Sequence, residues 1–94
     1  MTIIQNLYIL QLVKRVVLLK SAATALRKHR NVAPLIREKI DAYAADPASL
    51  ANNVTELRGA VLKRLRVGDF RVLFEETATE IVVTKIGPRG SIYD

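Results

Sequence analysis

Apolar and polar positions alternate most regularly from Leu62 to Glu76, which reads LKRLRVGDFRVLFEE. A period of two places Leu65, Val67, Phe70, Val72 and Phe74 on one side and Arg64, Arg66 and Arg71 on the other. Gly68 and Asp69 separate the two runs, and a leading Gly suits the first central position of a type II′ turn. The pattern therefore predicts a tight hairpin that pairs Val67 with Phe70, Arg66 with Arg71 and Leu65 with Val72. Like charges opposed across a strand pair are unfavourable by about a few tenths of a kcal/mol. Guanidinium groups stacked on one open face thus point to a surface that awaits an anion; the plainer reading is a solvated basic face.

Upstream of the hairpin, Val16 to Leu19 form a short apolar run that predicts a buried first strand. Ser21 offers a helix N-cap, and Ala22 to Arg30 are rich in helix formers. Asn31 offers the cap of a second helix with Pro34 in its first turn. In that helix Val32, Ile36, Ile40 and Tyr43 make the core stripe, while Arg37, Glu38 and Asp41 point away. Asp46-Pro47 ends it. Pro47 to Gly59 reads as a polar connection, with a helical turn around Ala48 to Ala51 and Leu57 tying it to the core. A strand begins near Val61, and Thr77 to Thr79 turn the chain into the β-branched run Glu80 to Ile86, EIVVTKI. Gly87 to Gly90 break that strand. The expected class is α+β: an N-terminal strand, then two antiparallel helices packed on one face of an antiparallel sheet completed by a three-stranded C-terminal meander. The arginine face is the uncovered one. Residues 13–94 form the single domain; Met1 to Leu12 read as an extension that packs on it or on a second copy, or as a leader.

Composition narrows the partners. The 94 residues are enough for one modest core. With no cysteine and a single histidine, His29, the chain offers neither thiolate nor imidazole-built zinc ligation, and no metal or cofactor is expected. Fifteen Lys and Arg against nine Asp and Glu, a net charge of +6, favour polyanions. Five aromatic residues are too few for base stacking to lead recognition, so phosphate contacts would. The apolar start of the chain is interrupted by Gln5, Asn6, Gln11, Lys14 and Arg15, so no membrane span is expected and the cytoplasm is the default location. Arg27, Lys28, His29 and Arg30 cluster at the end of the first helix, where cations suit the helix dipole; a second anion-binding patch is the sharper reading. His29 itself reads as a surface residue.

The helix pair, the LRG at Leu57, the string RLRVGDFRVLFEE and the ending IVVTKIGPRGSIYD together resemble the RelE/ParE superfamily of toxin–antitoxin systems, over Lys14 to Asp94. The RelE branch consists of small ribonucleases that cut messenger RNA in the ribosomal A site. ParE-like members poison DNA gyrase on a similar scaffold, and fold alone does not choose between them. An inactive antitoxin-binding module is the third alternative.

On the RelE pattern the resemblance assigns catalytic roles to Arg71, Arg89, Tyr93 and Arg64, and RNA-binding roles to Arg66, Lys63 and Lys85. Arg71 and Arg89 would hold the phosphate, and Arg64 and Arg66 would position the RNA or stabilise the leaving group, through forked donors suited to phosphoryl oxygens. Arginine is no base at neutral pH. Tyr93 is the candidate general base if surrounding cations favour its phenolate; Lys63 is the other, although alternation turns it away from Arg64. Where the family often has a His before the last arginine, this chain has Pro88. The partners so implied are a cognate antitoxin with an acidic or apolar segment and mRNA on the ribosome, the assembly being a homodimer or a toxin–antitoxin hetero-oligomer.

Overall fold

A computed structural model describes residues 13–59 and 61–92 of the chain. The N-terminal extension and Tyr93 lie outside the described residues. In order, the elements are β1 (Arg15–Leu18), α1 (Lys20–Lys28), α2 (Ala33–Ala45), a 3₁₀ segment (Pro47–Asn53), β2 (Val54–Arg58), β3 (Leu62–Val67), β4 (Phe70–Glu76) and β5 (Glu80–Pro88). They build one five-stranded sheet in the order β1-β5-β4-β3-β2, with both α-helices on one face. This is the expected α+β arrangement. The strands from β2 to β5 form an antiparallel meander, while β1 runs parallel to β5, from Arg15 opposite Glu80 to Leu18 opposite Val83.

The core lies between the helices and one face of the sheet. Ile36, Ile40 and Tyr43 of α2 and Ala22 of α1 pack against Leu65, Val67, Val72, Phe74, Ile81, Val83 and Ile86. The two sequence periods, 3.6 in the helices and 2 in the strands, bring these apolar stripes face to face. β5 breaks its period once. A bulge opposite Leu73 and Phe74 inserts Thr84, whose hydroxyl donates to Leu73 O at 3.2 Å. The extra residue lets both Val83 and Ile86 face the core and sets Gly87 opposite Arg71.

Three local expectations are corrected. The segment Val54–Arg58, read as part of a polar connection, is the edge strand β2, with Val54 opposite Leu65 and a register shift between Glu56 and Arg58. Glu56 is a weak strand former and Asn52 and Asn53 just before the strand suggest a turn, so pairing to β3 supplies what the local residues do not. Helix α1 starts at Lys20 after Leu19, not at a Ser21 cap, because Leu19 N still donates to Val83 O at 3.0 Å and the strand runs straight into the helix. Val32, not Asn31, occupies the cap position of α2.

Candidate functional site

The β3–β4 hairpin has the register read from its pattern: Val67 opposite Phe70, Arg66 opposite Arg71, Leu65 opposite Val72. Gly68 has φ of 55°, and no residue other than glycine has positive φ among those described, so Asp69 does not. That combination is the type II′ signature. The turn therefore sets two guanidiniums directly against each other on the face away from the helices. Arg64, two residues upstream, shares that face opposite Leu73.

The Arg71 side chain is held by the turn itself. Its Nη1 donates to Gly68 O at 3.0 Å and to Phe70 O at 2.9 Å. Nε and Nη2 have no protein acceptor among the described residues and remain open to a ligand. Desolvation, followed by repulsion from Arg89, Arg64 and Arg66 in that order, pulls this guanidinium below its ordinary pKa, while Asp69 opposes them. Three other arginines thus act on Arg71 from β3 and from the segment after β5.

Arg89 is brought in by the backbone. Its N–H donates to Asp69 O at 2.6 Å and fastens the end of β5 to the hairpin turn. The chain then turns at Gly90, with φ of 91°, and Ser91 donates from N and Oγ to Pro88 O at 3.1 and 2.8 Å. Ile92 folds over Gly87, where an added Cβ would lie 2.7 Å from Ile92 Cδ1. Gly87 is the register partner of Arg71, so Ile92 packs on the arginine face. Ile92 and Leu73 are both buried, yet neither belongs to the helix-side core.

The residues assigned from sequence separate into groups. Arg64, Arg66 and Arg71 share one face of the hairpin by register, and the Arg89 backbone bond to Asp69 brings the fourth arginine to its turn, close enough for its charge to act on Arg71. Lys85 is exposed and sits opposite Leu73, on the same face by register. Lys63 is not brought to this face. It points to the helix side, where its Nζ lies 2.7 Å from Glu76 Oε1, because β3 alternates regularly and Arg64 takes the opposite side. The hydrogen bond to Glu76 is the leading cause that raises its pKa, so its ammonium holds its proton more firmly and is poorly placed as a base. His29, read as a surface residue, is half-buried with its ring edge against Phe70, centroids 4.9 Å apart.

One polar cluster escaped the sequence reading. Glu76 Oε2 accepts from Lys14 Nζ at 2.7 Å, and Oε1 accepts from Lys63 Nζ at 2.7 Å and from Tyr43 OH at 2.6 Å. Burial works to raise the Glu76 carboxyl, but these donors outweigh it and hold the pKa at about 2. The same burial, with Glu76 as acceptor, raises the Tyr43 phenol. The available signal was Glu76 itself, a carboxylate that continues the core-facing period of Phe70, Val72 and Phe74. Among the described residues no group of three His, Cys, Asp or Glu is placed to hold a metal ion, and no helix is long and apolar enough to cross a membrane. The site is thus a fixed cationic surface, able to bind and polarise an anion.

No family model matches the chain, and no curated protein matches it. Among solved structures, the chain is similar to the RelE chain of the archaeal RelE–RelB complex from Pyrococcus horikoshii OT3, with a TM-score of 0.70 and 26% identity over 85% of this chain and 99% of that one. The fold is RelE-like.

Proposed function

We propose that this chain is the toxin of a toxin–antitoxin pair and acts as a ribosome-dependent mRNA endoribonuclease that arrests translation. The observation that carries the reading is the convergence of Arg64, Arg66 and Arg89 on Arg71, whose own guanidinium is oriented by the hairpin turn. Like charges gathered at one place weaken a bare fold, and a polyanion relieves the repulsion. The likeness to a RelE chain solved with RelB supports both the toxin assignment and an antitoxin partner.

In this mechanism the RNA 2′-oxygen, losing its proton to a base, attacks the adjacent phosphorus. The P–O bond to the 5′-oxygen breaks, and that oxygen takes up a proton. Charge accumulates on the non-bridging oxygens in between. Arg71 and Arg89 meet that charge with preorganised donors, and Arg64 and Arg66 position the strand and steady the leaving oxygen. Tyr93, which follows Ile92 in sequence, is the proposed base, a role that rests on the resemblance to the RelE pattern. An antitoxin segment with acidic or apolar residues would cover this face in the cytoplasmic complex and silence it.

Inducible expression in a bacterium, with transcript ends and DNA breaks mapped in one culture, tests the reading. New ends inside translated codons, lost with Arg71→Ala, are expected. DNA breaks with intact transcripts would replace it by gyrase poisoning, and harmless expression by a binding-only role.

A further inference from the structure

The excess charge of this protein is unevenly distributed. Residues 1–37 contain seven Lys and Arg and no Asp or Glu, whereas residues 38–94 contain eight against nine. The basic surplus in the sequence therefore falls in the first 37 residues, before the segment that carries the arginine face. Within it, Lys14 pairs with Glu76, Arg15 with Glu80 and Arg37 with Asp41. Lys28 and Arg30 have no acidic partner among the described residues, and both are exposed. They stand at the rim of a cleft of about 390 Å³, lined by Lys28, His29, Arg30, Asn31, Val32 and Phe70, with no carboxylate in its walls.

The cleft joins the arginine face through one residue. Phe70 lends its ring to the cleft wall, where it meets His29 edge-on, and its carbonyl accepts from Arg71 Nη1. The side chains of Phe70 and Arg71 leave opposite faces of β4 at the hairpin tip. A strand that places one phosphate on Arg71 would thus have to round the hairpin tip to reach the cleft with a nucleotide farther along.

We infer that this cleft is a nucleotide subsite for single-stranded RNA, in which Lys28 and Arg30 take a phosphate while Phe70, His29 and Val32 flank the base and Asn31 offers amide donors and an acceptor to its edge. The inference rests on the reading of the chain as a protein that acts on RNA. Volume and chemistry favour a nucleotide over an acidic peptide. The cleft is the size of a small-molecule pocket, its rim is cationic and its wall aromatic, which matches a unit that carries one charge and one flat ring. An acidic peptide has carboxylates but nothing for the aromatic wall.

The test compares the full-length protein with the double variant Lys28→Ala/Arg30→Ala and with His29→Ala. Affinity for a short single-stranded RNA is read by fluorescence anisotropy across a salt series, and a Glu-rich peptide of equal length serves as the second probe. The double variant is expected to bind RNA roughly tenfold more weakly at ~0.1 M salt, with a log–log salt slope shallower by about 0.7 for each phosphate that is no longer neutralised. His29→Ala is expected to weaken binding without changing that slope. Unchanged RNA affinity and slope in the double variant, beside a wild type that cleaves mRNA, would overturn the subsite and leave the functional reading standing. Absence of new transcript ends on expression would overturn the functional reading, and a wild type that binds no free RNA would overturn the subsite. A loss confined to the Glu-rich peptide would assign the cleft to an acidic protein and likewise overturn it.

Discussion

Arg66 and Arg71 stand directly opposite each other across the β3–β4 hairpin, and the other neighbour of Arg71, on β5, is a residue without a side chain, Gly87. The arrangement leaves the central guanidinium facing like charge on one side and, on the other, a glycine whose side-chain space is taken by Ile92. The hydrogen bonds from Arg71 to the turn carbonyls keep it in place despite the repulsion.

Arg71→Ala should remove the central donor of the site while leaving the core intact, since the side chain lies on the face away from the helices. RNA cleavage is expected to fall by roughly 10²–10³, the range found when one preorganised charge-stabilising donor is deleted. Primer extension on a translated message reads the activity. A thermal midpoint close to that of the wild type shows that the fold survives; residual cleavage near the wild-type rate would contradict the assigned role.

Gly87→Val forces a side chain into the space of Ile92 Cδ1 and Cγ1, which lie 2.7 and 2.9 Å from the added Cβ. Overpacking of this kind costs typically about 1–3 kcal/mol. The turn that carries Arg89 is the part free to give way, so cleavage should drop more than stability does. Urea denaturation and cleavage assays on the same preparation separate the two effects.

The Glu76 cluster predicts an acid limb of stability. The folded carboxyl sits at about 2 against 4.5 for the free group, so its contribution is fully present above pH 4.5 and is lost as pH falls towards 2. A depression of that size corresponds to about 3 kcal/mol. The urea midpoint should therefore decline through this window, and Glu76→Gln should be less stable at neutral pH with a flatter acid limb. Equal slopes for both proteins would remove Glu76 as the cause.

Phe74 is 1% exposed at the centre of the sheet and packs against Tyr43, ring centroids 5.1 Å apart. Phe74→Ala is expected to lose about 3–5 kcal/mol through reduced burial and the cavity left behind. A domain of this size has little reserve beyond that, so the variant should show little native near-ultraviolet circular dichroism at growth temperature. A cooperative melt near the wild-type midpoint would show that the site collapses easily.

What could be read from residues alone was whatever local chemistry settles. Gly68-Asp69 and the alternation on either side specify the hairpin, because a two-residue turn leaves one register and the period of two assigns every face. The same alternation places Arg64, Arg66 and Arg71 together and turns Lys63 away. Tertiary structure decided what depends on distant partners. Val54–Arg58 becomes a strand because β3 offers an edge, and β1 lies parallel to β5 because the two helices carry the chain back across the sheet. The Thr84 bulge brings Gly87 to Arg71, and the docking of Ile92 there seats the Arg89 turn. Glu76 is held ionised by Lys14, Lys63 and Tyr43, donors 62, 13 and 33 residues away in sequence. A carboxylate on an apolar stripe looks like an error until folding brings its partners, since the energy that keeps it charged comes from groups that meet only in the folded chain.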